Sequence, residues 1–392
     1  MNYNDAIKLL TSQGKFYINL GLDRMQQILN LLGNPQEGLK CIQVAGTNGK
    51  GSVCTMLDSI LRTAGFKTGL YTSPHIFEYT ERIKISGVDI SKQDFANYTK
   101  QITILADKNN IHLTEFEILT TIMFKYFADN NIDIAIIETG LGGRFDATNV
   151  ISSNICSVIT HIDLDHTDRL GDTKEKIAYE KAGIIKKDSI VITSEGYEAI
   201  KDKADEMGAL FVLVQPYIPP EYAEALSLKG NQQYENLALV LAVLELKYRD
   251  LSPDTIIQGL KNVKNPCRFQ YIKNKNMIVD GAHNPNCFKA LRENLDTYYP
   301  NTPKQYIFGC LNTKDYKSMI KYIEQDNNLD KIYFYHFNNQ NSCDYKTLSK
   351  VCSKPSIELK SINDITFSQD VLTVVCGSFY MINELLNQND II

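Results

Sequence analysis

The chain has 392 residues, of which 43% are hydrophobic and 22% are charged, and its net charge is -5. This length exceeds what one hydrophobic core usually supports, so we expect two domains. The negative charge gives no attraction toward nucleic acid or an anionic membrane, so neither is expected as a partner. No apolar run reaches the roughly 18 residues of a membrane helix, and the first residues do not form a signal peptide. Nine cysteines without a CxxC pair indicate reduced thiols and a cytoplasmic location.

The predicted strands are short apolar runs that do not alternate with polar residues. They read CIQVAG, DIAIIETG, ICSVITHID and SIVITSEG, and later NMIVDGAHN, KQYIFGCL, KIYFYHF and LTVVCGSF. Helical patterns separate them, including TEFEILTTIMFKYFADNN, NQQYENLALVLAVLELKY and an apolar stripe from Val53 to Leu61. This order predicts an α/β architecture with parallel sheets covered on both faces. The polar segment KNVKNPCRF places the domain boundary so that the domains are residues 1–265 and 266–392.

The segment VAGTNGKGSV, at residues 44–53, nearly fits the phosphate-binding pattern GxxxxGK[ST]. Gly49 and Lys50 are present, but Val44 replaces the first glycine, and Gly51 follows the lysine where a magnesium-binding hydroxyl is expected. Because the segment joins a predicted strand to a predicted helix, its backbone N–H groups and Lys50 are placed to bind phosphate. The alternative is an ordinary strand-to-helix turn.

Two further segments follow predicted parallel strands, where open α/β sheets bind ligands. ETGLGGRFDATNV begins with Glu138, whose carboxylate suits magnesium, but a solvated turn is the alternative. The segment THIDLDHTDRLGDTKEKIAYEKAG holds several His and Asp side chains, which suggests metal or phosphate chemistry. Asp172 or Thr173 is expected to cap the helix that follows and Gly183 to end it. Lys181 lies in its last turn, where spacing alone favours a simple helix-end cation.

The second predicted domain has its own polar residues near a strand end. Arg268 precedes the strand of VDGAHNP, and Asp280 and His283 follow it. An arginine and a carboxylate in this arrangement could clamp a nucleotide, or they could equally be surface polar residues.

Six motifs occur in a specific order along the chain: GTNGKGS, YTSPHIFEYTERIKISG, ETGLGGRFDATNV, LDHTDRLGDTKEKIAYEKAGIIK, NPCRF and DGAHNP. Together they resemble the ordered motifs of the folylpolyglutamate synthase and dihydrofolate synthase family, within the Mur ligase superfamily. The resemblance implies a P-loop ATP-binding domain followed by a smaller Rossmann-like domain. It also implies an enzyme of folate biosynthesis that joins L-glutamate to dihydropteroate, to folates or to both. The ATP-dependent reaction would pass through an acyl phosphate and release ADP and phosphate.

The resemblance further implies roles for individual side chains. The residues that would bind ATP are Thr47, Asn48, Gly49, Lys50, Gly51, Ser52, Asn236, Arg268, Asp280 and His283. The residues that would hold two Mg²⁺ ions are Ser73, Glu138, His166 and Lys181, the last of them carbamylated. The residues that would contact the pterin substrate are Thr114, Phe116, Arg144 and Asp146. Catalysis would fall to Lys50, Lys181 and His166, and the protein would be a monomer with small-molecule partners only.

The chain departs from the family pattern at two places. Gln232 stands where the family usually has histidine, and Cys267 replaces the glycine between proline and arginine in NPCRF. Gly51 departs from the general phosphate-binding pattern GxxxxGK[ST], and we expect Ser73 to supply the missing hydroxyl ligand from a separate loop.

Two other functions remain as alternatives. A Mur-type ligase for a cell-wall precursor would share the phosphate loop, but only about 40 residues precede that loop here, too few for the extra domain of those enzymes. A non-catalytic nucleotide-binding module would not need Glu138, His166 and Lys181 together.

Overall fold

The computed structural model of the protein describes residues 1–12 and 21–387. The chain forms two compact units, which are Met1–Ser227 with Tyr234–Val263, and Leu228–Gln233 with Lys264–Ile392. Each unit contains one mainly parallel sheet with helices, so the expected α/β class is confirmed. Within the described ranges, no helix has both the length and the apolar character needed to span a membrane.

The first unit is built on an eight-stranded sheet. Its strands are β1 (Cys41–Ala45), β2 (Thr68–Tyr71), β3 (Ile83–Ile85), β4 (Val88–Asp89), β5 (Ile134–Glu138), β6 (Cys156–Ile159), β7 (Ile190–Thr193) and β8 (Leu210–Leu213). Their spatial order is β4-β3-β2-β5-β1-β6-β7-β8. The pairs β2–β3 and β3–β4 are antiparallel, and the other pairs of this sheet are parallel. The central strands β1, β5 and β6 are buried along their whole length, which explains why their sequences are apolar without alternation.

The helices of this unit, in chain order, pack against that sheet and one another. They are α1 (Tyr3–Ser12), α2 (Asp23–Leu31), α3 (Lys50–Thr63), α4 (Lys92–Lys108), α5 (Glu115–Asp129), α6 (Thr167–Leu170), α7 (Lys174–Ala182), α8 (Glu198–Met207), α9 (Pro220–Ala225), α10 (Asn231–Lys247) and α11 (Pro253–Lys261). One apolar cluster joins α1, α2, α4 and α5 to the middle of the sheet, and another joins α7 and α8 to β6 and β7. These two cores fix the loops at the carboxyl ends of the strands.

The second unit has a six-stranded sheet in the order β13-β12-β11-β14-β10-β9, with β9 alone antiparallel to its neighbour. The strands are β9 (Gln270–Ile272), β10 (Met277–Asp280), β11 (Lys304–Phe308), β12 (Leu329–Tyr335), β13 (Ile357–Leu359) and β14 (Leu372–Cys376). The helices are α12 (Pro285–Tyr298), α13 (Tyr316–Glu324), α14 (Tyr345–Ser349) and α15 (Phe379–Asn387). Its core contains Phe288, Tyr306, Phe308 and Phe334.

All eight predicted apolar runs contain strands, and the three predicted helices are α3, α5 and α10. Thr173, and not Asp172, caps α7, because its side chain accepts a hydrogen bond from the backbone N–H of Lys176. Gly183 follows the last residue of α7 as predicted. The nine cysteines are free thiols, as expected.

Candidate active site

The phosphate loop connects β1 to α3 and depends on two glycines. Gly46 has a φ of 153°, and a Cβ atom there would lie 1.7 Å from the hydroxyl oxygen of Thr160. Gly49 has a φ of 94° just before α3, and its Cβ would lie 2.2 Å from Oδ1 of Asn236. Both positions therefore exclude any side chain, and Asn236 lies against the loop.

Hydrogen bonds hold the loop against the segment that follows β6. The backbone N–H of Thr47 donates to the carbonyl of His161 at 2.8 Å, and its hydroxyl donates to the carbonyl of Asp163 at 3.0 Å. The Thr160 hydroxyl donates to the carbonyl of Asn48 at 2.7 Å. Ser52, in the first turn of α3, is buried. The loop is thus fixed in shape by neighbouring backbone.

Two lysine amines converge on one carbonyl of this loop. Lys50 Nζ donates to the carbonyls of Gly46 and Thr47 at 3.0 and 3.2 Å. Lys181 Nζ, from the last turn of α7, donates to the same Gly46 carbonyl at 2.7 Å. Burial, together with the nearby charge of Lys50, lowers the pKa of Lys181 well below its usual value. Lys181 therefore faces the phosphate loop from the protein interior, unlike a simple helix-end cation at the surface.

The carboxylate of Glu138 occupies the space beside Gly51. A Cβ atom on Gly51 would lie 3.6 and 3.8 Å from the two Glu138 carboxylate oxygens. The backbone N–H of Ser73 donates to Glu138 Oε2 at 3.0 Å. Since β1, β2 and β5 are adjacent and parallel, their carboxyl ends bring these three residues together. Because Gly51 has no side chain, the carboxylate of Glu138, at the end of the neighbouring strand β5, lies beside it.

These oxygen atoms fit a magnesium ion. Mg²⁺ commonly binds one or two carboxylates, together with water and substrate phosphates, and prefers oxygen ligands. Glu138 offers such a carboxylate beside Gly51, and Ser73 contacts it through its backbone N–H. Within the described ranges, no three His, Cys, Asp or Glu side chains form a metal-binding group. His166 lies just before α6, is 46% exposed, and places Nε2 3.9 Å from Asp165 Oδ1.

The loop after β5 is shaped by Asp146. Its Oδ2 accepts from the backbone N–H groups of Gly140 and Leu141 at 2.9 and 2.8 Å. Its Oδ1 accepts from the backbone N–H and the hydroxyl of Thr148 at 3.0 and 2.6 Å. Burial raises the pKa of Asp146, although these hydrogen bonds oppose the rise. Asp146 is therefore engaged in holding the loop.

Other predicted substrate residues surround this loop. Thr114 caps α5 and forms a capping box with Glu117. The ring of Phe116 covers Gly140, where a Cβ atom would lie 2.5 Å from the ring. The Arg144 guanidinium pairs with Glu180 at 2.6 Å, and hydrogen bonding to that carboxylate raises the arginine pKa. Phe116, Arg144 and Asp146 thus lie on or against one loop, and Thr114 caps the helix that carries Phe116.

The predicted nucleotide residues of the second unit cluster at the carboxyl end of β10. Asp280 accepts from the backbone N–H groups of Phe269 and Ala282 at 2.7 and 2.8 Å. The guanidinium of Arg268 lies 4.9 Å from the centre of the Phe379 ring, and the His283 ring is 6.0 Å from the same centre. Phe379 lies at the end of the predicted run LTVVCGSF, but sequence analysis did not single it out, because its contacts with Arg268 and His283 join residues that are far apart in the chain.

The unusual Cys267 has a left-handed backbone. Its φ is 57°, its side chain is buried, and its carbonyl accepts from the backbone N–H of Gly281 at 2.7 Å. A glycine adopts this conformation without strain, whereas most other residues do not. The structure therefore accommodates the departure, with a non-glycine residue at a position whose geometry favours glycine.

Sequence analysis also missed the pairing of His161 with Glu195. Glu195 Oε1 lies 2.9 Å from His161 Nδ1 and accepts from the backbone N–H of Ile162 at 2.9 Å. The hydrogen bond to Glu195 raises the pKa of His161. Glu195 follows β7 in SEGYE, and the only available signal was its place after a predicted strand.

Comparison with known proteins identifies the family. Residues 44–266 match the Mur ligase middle domain, and residues 267–374 match the Mur ligase glutamate ligase domain. The dihydrofolate synthase/folylpolyglutamate synthase of Bacillus subtilis is 32% identical, over 98% of this chain and 98% of its own length. The chain belongs to the dihydrofolate synthase/folylpolyglutamate synthase family. The family resemblance expected from the motifs is therefore confirmed.

Solved structures of this family share the fold. Escherichia coli FolC in complex with DHPP and ADP matches with a TM-score of 0.87 at 28% identity, over 100% of this chain and 98% of that chain. A bifunctional folylpolyglutamate synthase/dihydrofolate synthase with Mn, AMPPNP and L-glutamate bound has a TM-score of 0.87 at 28% identity, covering 99% and 98% of the two chains. Membership of this enzyme family decides against a non-catalytic nucleotide-binding module and against a ligase for cell-wall precursors.

Proposed function

We propose that the protein joins L-glutamate to dihydropteroate, to reduced folates or to both, with ATP as the energy source. Besides family membership, one observation carries the proposal. The phosphate loop, Ser73 and Glu138 meet at the carboxyl edge of the first sheet, and the Lys181 amine contacts the same loop. This arrangement suits the transfer of a phosphoryl group from a nucleotide to a substrate carboxylate.

The reaction has two steps. A carboxylate of the pterin or folate attacks the γ-phosphorus of ATP, which gives an acyl phosphate and ADP. The amine of glutamate then attacks the acyl carbon, and inorganic phosphate leaves as the amide forms. Phosphorylation is needed because a free carboxylate is a poor acyl donor. Lys50 would exchange its carbonyl partners for phosphate oxygens and neutralise charge during the transfer.

For the metal, Ser73 and Glu138 would hold a first Mg²⁺, and His166 with a carbamylated Lys181 would hold a second. Magnesium, when bound, supplies positive charge that offsets the charge of the phosphates. The lowered pKa of Lys181 supports the modification, because only a neutral amine adds to carbon dioxide. The addition forms a bond from Nζ to carbon and releases one proton, leaving a carbamate whose oxygens can bind a metal.

The remaining predicted roles stay part of the proposal. The nucleotide residues are Thr47, Asn48, Gly49, Lys50, Gly51, Ser52, Asn236, Arg268, Asp280 and His283. The substrate residues are Thr114, Phe116, Arg144 and Asp146. We also keep the division of the chain at residues 265 and 266, a monomeric state, a cytoplasmic location and the absence of nucleic-acid or membrane partners.

A product assay by mass spectrometry tests the function. Dihydropteroate and tetrahydrofolate are offered separately, each with ATP, Mg²⁺ and L-glutamate. We expect an amide product whose mass has increased by one glutamyl residue, with phosphate released only when all three substrates are present. The two arms show which acceptor is used. Binding of ATP without an amide product from any pterin or folate would refute the proposal.

A further inference from the structure

A cleft of about 640 Å³ lies at the amino edge of the first sheet. Lys40 directly precedes β1 and Ile155 directly precedes β6, and both line the cleft together with Ile134, the first residue of β5. The phosphate loop follows the other end of β1, so the 5 residues of that strand separate it from the cleft by roughly 16 Å. Small-molecule sites commonly have volumes of about 300–1,000 Å³. The cleft is therefore large enough for a small molecule and is distinct from the candidate active site.

The walls of the cleft offer aromatic and open surface. Phe66 and Tyr248 both line it, and their rings pack edge to face with centres 5.6 Å apart. Each of the two side chains is only partly buried, so part of its ring surface remains accessible. A Cβ atom on Gly38 or Gly65, which also line the cleft, would meet no atom within 4 Å. A flat, apolar group thus has both space and an aromatic surface to pack against.

The polar donors of the cleft have no partners of their own. Lys40 and Lys247 are exposed, and within the described ranges neither amine has a hydrogen bond or an ion pair. The hydroxyl of Tyr248 is likewise without a hydrogen-bond partner in those ranges. Burial raises the pKa of Tyr248 to about 12, so the hydroxyl keeps its proton at neutral pH and can donate it. Three donors, two of them charged, are therefore available to a ligand.

The acceptors at the cleft are largely engaged. Asp133 alone carries a carboxylate among the described residues that line it, and its Oδ2 accepts from the backbone N–H of Lys67 at 2.7 Å. At the end of α3, the carbonyls of Ile60, Leu61 and Arg62 accept from backbone N–H groups of the residues that follow. These bonds limit how strongly that helix end repels an anion. With two lysines and one aspartate, the lining is cationic on a chain whose net charge is -5.

We propose that this cleft binds a small organic anion that carries a flat ring. The anionic group would contact the amines of Lys40 and Lys247 and accept from the hydroxyl of Tyr248, while the ring would pack beside Phe66. Charge attracts the ligand and the aromatic surface selects its shape. The inference goes beyond the proposed function and does not depend on it, because the cleft and the phosphate loop lie at opposite edges of the sheet.

A fluorescence titration with two related probes tests the proposal. The probes are 8-anilinonaphthalene-1-sulfonate and its uncharged parent, N-phenyl-1-naphthylamine, and the full-length protein is first saturated with AMPPNP and Mg²⁺. We expect the sulfonate to bind at a single site, about 10-fold more tightly than the parent. Changing Lys40→Glu and Lys247→Glu together should remove this preference, since about 10-fold is the scale of two exposed charge interactions.

Two further variants separate the cleft from general effects of charge. Lys100→Glu with Lys108→Glu makes the same change in charge at exposed positions of α4 outside the cleft, so the preference for the sulfonate should remain. Tyr248→Phe keeps the ring but removes the hydroxyl, and should weaken binding of the sulfonate alone by about 2- to 10-fold.

Several results would overturn the inference. Equal affinity for the two probes in the unchanged protein would show that the cleft does not recognise the anionic group, and this comparison needs no variant. An equal loss in the two double-lysine variants would make the effect one of overall charge. Binding of the sulfonate that disappears when AMPPNP is present would assign it to the nucleotide site. The product assay described above reports on the opposite edge of the sheet, so its failure would leave these results unchanged.

Discussion

Lys181 is a buried amine whose partner is a carbonyl of the phosphate loop. We predict that Lys181→Ala lowers turnover about 100- to 1,000-fold, the scale for loss of one charge-stabilising group. Because a carbamate would act through its oxygens, added formate or acetate should restore part of the activity. Turnover measured with and without these carboxylates checks the prediction.

Lys186 offers a matched control for that experiment. It is also buried, burial lowers its pKa to about 8, and its amine donates to Oδ1 of Asn149 at 2.8 Å. Lys186→Ala should not respond to formate or acetate. Full activity in the Lys181→Ala variant would eliminate the carbamate role.

Single residues show where sequence reasoning succeeds and fails. The turn at Gly49, directly before α3, could be predicted because a local glycine pattern encodes it, whereas phosphate binding by Gly49 and Lys50 stays a prediction. Phe379 and Glu195 could not be predicted, since their roles come from contacts with residues far away in the chain. The proximity of Glu138 to Gly51 could not be predicted either, because only the fold brings these two residues together.

Among the elements, the segment after β6 and the loop after β7 are joined by an ion pair. The pKa of His161 is raised by its hydrogen bond to Glu195, and that of Glu195 is lowered through the same bond despite its burial. A raised histidine pKa stabilises the fold below the unfolded value of about 6.5, and the effect is lost as pH rises through the folded pKa. The lowered pKa of Glu195 contributes stability that is present above its unfolded pKa and is lost as the pH falls through its folded pKa, where protonation removes the pair.

We therefore predict a pH-dependent cost for His161→Gln. The loss of unfolding free energy should be about 0.5–1 kcal/mol between pH 5 and 6.5, as for partly exposed pairs, and should shrink toward pH 9. Asp163 and Glu235 also face His161 and favour its charged form. Thermal unfolding across this pH range measures the difference, with the exposed His112→Gln as control. A cost that stays constant with pH would contradict the ion pair.

A buried charge cluster joins β11, α12 and the turn before β12. Asp326 is fully buried, and its oxygens lie 2.5 Å from Arg292 and 3.7 Å from the buried amine of Lys304. Tyr306 donates to the same carboxylate at 2.6 Å. We predict that Asp326→Ala destabilises the second unit by about 3–5 kcal/mol, because it removes the buried carboxylate that Arg292 and the buried amine of Lys304 share.

The exposed Asp296 provides the comparison, since it pairs with the same Arg292 at 2.7 Å. Asp296→Ala should cost no more than about 1 kcal/mol. Amide hydrogen exchange in β11 and β12 separates the two variants. Equal protection in both would show that burial of Asp326 does not matter for stability.

Whether a strand could be predicted from the sequence depended on how long and how apolar its segment is. Eight strands were recognisable because each lies in a short run that is mostly apolar. β2, β3, β4, β8, β9 and β13 were not predicted. β3, β4, β9 and β13 have only 3, 2, 3 and 3 residues, β2 contains Thr68 and Gly69 among its 4 residues, and β8 exposes both of its ends. Short or exposed edge strands carry little apolar signal.

At the scale of the whole molecule, ligand binding should raise thermal stability. A ligand at 100 times its dissociation constant adds about 2.7 kcal/mol to the free energy of unfolding. We predict that AMPPNP with Mg²⁺ raises the unfolding temperature more than AMPPNP with EDTA. Ser73→Ala should reduce this magnesium-dependent difference, whereas the exposed Ser152→Ala should not. Equal stabilisation with and without magnesium in the unchanged protein would count against the metal ligands.

The two α/β units were predictable from length and from repeated strand and helix patterns. The strand order was not, because β5 lies between β1 and β2 although both precede it in the chain. Likewise, Leu228–Gln233 belongs to the second unit while the residues on either side belong to the first. Local patterns hold no information about such non-local pairing.

Because the ring of Phe116 covers Gly140, the effect of a substitution at position 140 should depend on the side chain at position 116. A methyl group at position 140 would lie 2.5 Å from the ring, closer than real atoms approach, so Gly140→Ala alone must displace Phe116. A smaller side chain at 116 would make room for that methyl group. Random mutagenesis under selection should therefore recover a substitution at 140 only together with one at 116.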